Sequence, residues 1–317
     1  MPAARQRRAV TALAAVLLGA CATAELAVPP KTAVDSATYA ADIADFHAKR
    51  LEAIAGPDGW STLAGLFWLD SASYSIGSAA ASTIRLPADH TPPAVGTLRN
   101  DASRVTFLAA RGTTVMVDST RIDSVTLAND KAEQPTVLRT GSLTYRLIER
   151  GGRQALRVKD SAYVLRRDFK GLTYFPTDTS FRVQAHLVPH PAPRTVRILN
   201  VLGMTEEYRS PGVLHFRIGG TAYALTATFE GKDTTQYFML FRDATSKETT
   251  YPAGRFMYAT LVDSAGYTIL DFNRAYNPPC AFTAFATCPL PPAGNVLTVA
   301  IPAGEKRYAG PHGAELR

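Results

Sequence analysis

Asp271, Asn273, Tyr276 and Asn277 place a carboxylate, two amides and a phenol in the short run DFNRAYN. A carboxylate there could act as a general acid or base, or pair with a cation, while amides orient a polar ligand. The same residue types also brace loops, because Asp and Asn side chains cap turns and bond nearby backbone. Both readings stand on the sequence. Arg255 and Tyr258 lie upstream, and Glu305-Lys306 follows Gly304. Any of these four could serve the same site, or else pack the fold and line an exposed turn.

Cys280 and Cys288 enclose a loop of seven residues next to this run. In an exported protein such a pair is expected to form a disulfide that staples a proline-bearing loop, the alternatives being a reduced pair used for a metal or redox step and a pair of unlinked structural thiols. The spacing is wider than the roughly two to four residues of a metal knuckle, and no histidine stands beside it. No metal and no cofactor is expected. Arg167 and Lys170, in the run RRDFKG, could grip an anion or form a solvated, salt-bridged turn. The six histidines show no ligand spacing. His-Glu-x-x-His, Gly-x-Ser-x-Gly, phosphate-loop and dinucleotide fingerprints are absent.

Strands must position these groups. Residues 255–262 and 267–273 flank Asp263-Ser264-Ala265-Gly266 and read as a hairpin. If Val262 pairs with Tyr267, Tyr258 faces Asp271 and Phe256 faces Asn273. Alternation then sets Tyr267, Ile269, Asp271 and Asn273 on one face. Two further hairpins are signalled by Gly151-Gly152 and Gly219-Gly220 between strand-like runs. Short strands are also expected near 82–86, 105–108, 114–117, 121–127, 181–188, 195–199 and 237–241, and the run WSTLAGLFWL reads as core.

One helix is clear over 36–55, with Tyr39, Ile43, Phe46, Leu51 and Ile54 at helical spacing. Asp45 can pair with Lys49, and Gly56-Pro57 should end the helix with a left-handed glycine cap. The chain therefore reads as mainly β, an antiparallel barrel or sandwich with one N-terminal amphipathic helix.

Residues 1–20 read as a leader. Arg5, Arg7 and Arg8 precede a ten-residue apolar run, Ala9 to Leu18, too short to span a bilayer. It ends in Leu-Gly-Ala-Cys, which looks like a lipobox and makes Cys21 the expected lipid-attachment site, the alternative being an ordinary secretory signal cut near Ala20-Cys21-Ala22. Residues 21–35 follow as a lipidated cysteine and tether, and 36–317 as a single β-rich domain. The formal net charge is +7; three of those positive charges lie in the leader, which holds no acid, leaving +4. With no basic cluster interleaved with aromatics, a nucleic-acid partner is not expected.

The runs GLFWL (65–69), RDFKGL (167–172), GRF (254–256), DFNRAYNPPC (271–280), CPLPP (288–292) and AGEK (303–306) resemble the bacterial family catalogued as domain of unknown function 1684. The resemblance extends over most of residues 45–310. It implies one shared domain and carries no activity. The expectation is an exported protein held on the envelope through Cys21, with a small molecule or envelope component bound near residues 255–277. A hydrolase using Asp271 with Arg255 or Tyr258, and a structural envelope lipoprotein without a ligand, are the alternatives.

Overall fold

The computed structural model describes residues 35–101 and 104–312. The leader, Cys21 and the tether up to residue 34 lie outside the described residues. The described residues belong to one compact unit. Among the described residues no helix is long and apolar enough to cross a membrane.

The helix α1 runs over Ser36–Ala55, capped by the Asp35 side chain, which accepts from Thr38 N at 2.8 Å. Tyr39, Ile43 and Ile54 are buried, Leu51 is exposed, and Lys49 pairs with Asp45 at 2.6 Å. The expected left-handed cap is not what ends it. Gly56 is extended, with φ −61° and ψ 169°. Glycine is needed there for closeness instead: an added Cβ would stand 2.5 Å from the Glu52 carbonyl oxygen.

The strands are β1 (Leu63–Trp68), β2 (Ser73–Gly77), β3 (Ile84–Arg85), β4 (Gly96–Asn100), β5 (Val105–Ala109), β6 (Met116–Val117), β7 (Thr120–Arg121), β8 (Ser124–Thr126), β9 (Val137–Thr140), β10 (Leu143–Arg150) and β11 (Arg153–Asp160) in the first half. The second half adds β12 (Arg182–Leu199), β13 (Thr205–Ile218), β14 (Thr221–Ala227), β15 (Gln236–Phe241), β16 (Arg255–Thr260) and β17 (Tyr267–Asp271).

In the first half, the sheets β1-β11-β10-β9-β6-β7 and β3-β2-β4-β5-β8 share one apolar interior. Leu98, Val105 and Phe107 from one meet Tyr145, Leu147, Leu156 and Val158 from the other. In the second, β14-β13-β12-β17 packs on the two-stranded β15-β16. Of the two architectures expected, the sandwich is the one formed, and among the described residues no barrel closes. Among the named strands every ladder is antiparallel except the short β2–β3 pair.

Two glycine hairpins form as expected. Arg150 pairs with Arg153 and Ile218 with Thr221, and each intervening Gly-Gly has positive φ at both positions. The third hairpin does not form. β16 pairs with β15, so Tyr258 stands opposite Phe238, and β17 pairs with β12, so Asp271 stands opposite Arg182. The turn between them carries the chain from one sheet of the sandwich to the other. Asp263 organises it by accepting from Ala265 N at 2.9 Å and Tyr267 N at 3.0 Å. β15 demands this arrangement: Tyr237 to Phe241 are all buried, because one face meets the sandwich interior and the other meets the segment after Asn277.

Candidate functional site

Asp271 closes β17 and caps the next turn, accepting from Asn273 N at 3.1 Å. It lies on the outer face of its strand, which α1 covers, while Thr268 and Leu270 face inward. The Tyr39 hydroxyl donates to this carboxylate from 2.9 Å. Asn273 bonds Asp271, Tyr39 and both the N–H and the carbonyl of Asp178, at 2.8 to 3.1 Å. Arg274 approaches Asp271 at 3.6 Å. Burial, then the neighbouring carboxylate, pushes the Tyr39 phenol well above its ordinary range. Asp271 and Asn273 thus hold α1 against the sheet and are committed to protein partners.

Arg255 is fully buried rather than set in a cleft. Its guanidinium pairs with Asp243 at 2.5 Å and donates to the carbonyls of Ile301, at 2.9 Å, and Ala303. Asp243 in turn accepts from Thr245 N at 2.8 Å. Burial lowers the Arg255 pKa, and the Asp243 carboxylate opposes that shift.

Tyr258 is half-buried, donates to Glu230 and stacks on Tyr276. Burial raises both phenols. The backbone partner of Phe256 is Tyr276, with reciprocal bonds of 2.9 Å, and not Asn273 as the expected register required.

Tyr276 and Asn277 meet a second group built around α1. Arg50 donates to Glu305 at 2.6 Å and to the Asn277 carbonyl at 3.2 Å, and lies 4.3 Å from the Tyr276 ring centre. Glu305 has no exposure and also accepts from Asn277 N at 2.9 Å. The Asn277 side chain donates to the Lys306 carbonyl at 2.7 Å. His47 stacks on Tyr174 with centroids 3.5 Å apart, and burial lowers its pKa.

These bonds pin the segment 305–307. Glu305 N meets the Ala275 carbonyl, Lys306 N that of Thr173, and Arg307 N that of Thr249, at 2.8 to 2.9 Å. On its far side opens a cleft of about 690 Å³. Thr173 and Phe175 border it on one side and Glu248, Thr249 and Tyr251 on the other, with Lys306, Arg307, Tyr308, Ala281 and His312 between. That volume suits a small organic ligand.

Of the residues singled out in the sequence, only Lys306 lines this cleft. Glu305 and Asn277 hold its floor, while Asp271, Asn273 and Arg255 belong to separate braces. Arg167 is exposed and paired with Asp168 at 2.9 Å; Lys170 meets the Tyr308 hydroxyl through its backbone N–H at 3.3 Å. The other lining residues carried no motif. Adjacency to Lys306 was the available signal for Arg307 and Tyr308, whereas Glu248 and Tyr251 arrive through the fold. Arg50 and Asp243 show no pairing with Glu305 or Arg255 until the sheets are assembled.

Cys280 and Cys288, the candidate disulfide, are buried neighbours carried as free thiols, with Cys280 N 3.1 Å from Cys288 Sγ. Their hydrogen bond lowers the Cys280 pKa, and burial raises that of Cys288. The Cys280 carbonyl accepts from Tyr251 at 2.9 Å and lies 2.7 Å from His312 Nε2, tying this loop to the cleft. Among the described residues no three His, Cys, Asp or Glu side chains gather as metal ligands.

Residues 167–306 match the family described as Protein of unknown function (DUF1684). The match is shorter than the resemblance read over 45–310 and leaves out the run GLFWL. A solved relative, an uncharacterized protein of Haloarcula marismortui determined by solution NMR, is 35% identical, covering 44% of this chain and 78% of its own, with a TM-score of 0.38. The FHA domain of the CT664 protein from Chlamydia trachomatis is 18% identical over 30% of this chain and 94% of its own, with a TM-score of 0.21. No curated protein matches the chain.

Proposed function

The chain belongs to the family of proteins of unknown function DUF1684, and from that premise we propose that it is an exported, lipid-anchored protein that binds a small molecule in the cleft beside Lys306. The observation that carries this reading is the pinned floor. The bond from half-buried Arg50 to buried Glu305 at 2.6 Å and the Asn277 bond at 2.7 Å hold residues 305–307 beneath about 690 Å³ of open cleft. A floor fixed before binding spares the ligand the cost of ordering it.

The test is to fill the cleft. Thr249 is an exposed lining residue, so Thr249→Trp should leave melting unchanged and abolish binding of small molecules found by ligand-observed NMR. Hits that bind the variant as well as the native chain would overturn the reading. The anchor is tested separately: Cys21→Ala should move the protein from the membrane to the soluble fraction, and unchanged partitioning would refute lipidation at Cys21.

The hydrolase reading draws no support from Asp271. A general base needs a lone pair free for substrate, and this carboxylate already accepts from Tyr39 and Asn273.

A further inference from the structure

Lys306 and Arg307 are adjacent cations lining one cleft. Among the described residues neither has a carboxylate within ion-pair distance. Lys306 is half-buried, with its ammonium 5.1 Å from the Phe175 ring centre, and Arg307 is exposed. Glu248 is the one carboxylate of the lining, so the cations Lys306 and Arg307 outnumber the acids there.

These cations differ from ordinary surface charges because their backbone is fixed. Lys306 N bonds the Thr173 carbonyl at 2.8 Å, Arg307 N bonds that of Thr249 at 2.9 Å, and the Lys306 carbonyl takes the Asn277 amide at 2.7 Å. Both side chains therefore start from set positions.

The aromatic part of the lining is equally constrained. Tyr308 stacks on Phe169 with centroids 5.4 Å apart and packs against Phe282 at 5.0 Å. The Tyr251 hydroxyl is tied to the Cys280 carbonyl at 2.9 Å. Burial raises the pKa of each phenol, so both stay neutral at physiological pH.

We propose that the cleft takes a small organic anion with a flat apolar body. Its carboxylate, sulfonate or phosphate group meets Lys306 and Arg307, and its body lies on Tyr251, Tyr308 and Phe175. The chemistry of the lining selects this class. Two unpaired cations attract an anion and reward it with charge-assisted bonds. Fixed aromatic faces contribute apolar area without an ordering cost. A purely polar anion would leave those faces wet, and a neutral apolar ligand would leave the cations unanswered.

This inference rests on the cleft being the binding site, and its test separates the two. The full chain is titrated with anilinonaphthalene sulfonate, a fluorescent aromatic anion, and with phenylnaphthylamine, its neutral counterpart. The expected result is that the anion binds at one site and that Lys306→Ala with Arg307→Ala weakens it about tenfold or more, the loss of one or two charge-assisted bonds. Added salt should weaken it as well, while the neutral probe changes less than about twofold between the two proteins. Circular dichroism and melting confirm that the variant is folded.

Equal binding of the anion to native and double-variant protein, with both probes lost in Thr249→Trp, overturns the anion requirement and leaves the cleft as the site. Anion binding unaffected by Thr249→Trp overturns the cleft reading and this inference together. Binding of neither probe to the native chain overturns this inference.

Discussion

Residues 63–160 close two sheets over an interior that is apolar from Leu69 to Val158, whereas residues 182–308 carry ion pairs and amides through theirs. In the first half the buried polar side chains are Thr91, Thr140 and Asp160. The second half buries Asn200, Asp243, Arg255, Asn273, Asn277, Asn295 and Glu305 besides several hydroxyls. Chain path accounts for the contrast. In the first half, β1–β11 pair their backbone in ladders. After Asp271 the chain runs to residue 308 without a named strand, yet much of it is buried. Buried backbone donors and acceptors must still be paired. Side chains supply the partners: Arg255 takes the Ile301 and Ala303 carbonyls, Asn277 that of Lys306, and Asn295 bonds the carbonyls of Thr226 and Leu240. The polar residues that look chemical in the sequence largely replace a missing ladder, and the cleft beside Lys306 lies on the far side of the segment they hold.

The sharpest way to break this comparison is at Arg255. Arg255→Met should cost about 3–5 kcal/mol, because it strands the Asp243 carboxylate with no exposure and releases two buried carbonyls. Urea unfolding measures it. Adding Asp243→Leu should recover part of the loss, since an apolar pair of similar volume removes the uncompensated charge. The Ala303 carbonyl stays unpaired and that of Ile301 keeps only its bond from Ala303 N, so recovery should be incomplete. A single variant within about 1 kcal/mol of native would mean that the buried pair is not a brace and that the two halves are held alike.

What the sequence disclosed follows the same division. The helix over 36–55 and the Gly-Gly hairpins were legible because periodicity and turn chemistry are local. The strand pairing around Asp271 was not. A four-residue turn between two strand-like runs signals a hairpin, but the same turn can pass a chain between the sheets of a sandwich, and only the burial of both faces of β15 decides which. The apolar flanks of β15, from Tyr237 to Phe241, were visible without saying what would cover each side. Of the site, Lys306 was legible and the residues facing it were not. Thr249 and Tyr251 reach the cleft through the Arg307–Thr249 backbone bond, and Phe175 through the pairing of Tyr174 with Glu305. Those partners lie tens of residues or more apart in the chain and have no mark in composition or spacing.

The smallest effect belongs to the first half and checks the comparison from the other side. Arg153 pairs with Asp70 at 2.8 Å, with side-chain exposures of 49% and 64%, and its guanidinium lies 4.6 Å from the Trp68 ring centre. Solvent screens such a pair, and holding two long side chains together costs entropy, so the net contribution is about 0–1 kcal/mol. Arg153 also follows the Gly-Gly turn, whose positive-φ glycines set the hairpin without its side chain. Arg153→Ala should therefore lower stability by no more than about 1 kcal/mol, mostly through lost contact with Trp68, and the difference should shrink in high salt. Urea unfolding at two salt concentrations reads both. A loss above about 2 kcal/mol, unchanged by salt, would show that the first half also depends on its charged side chains, and the division between an apolar half and a polar-braced half would fail.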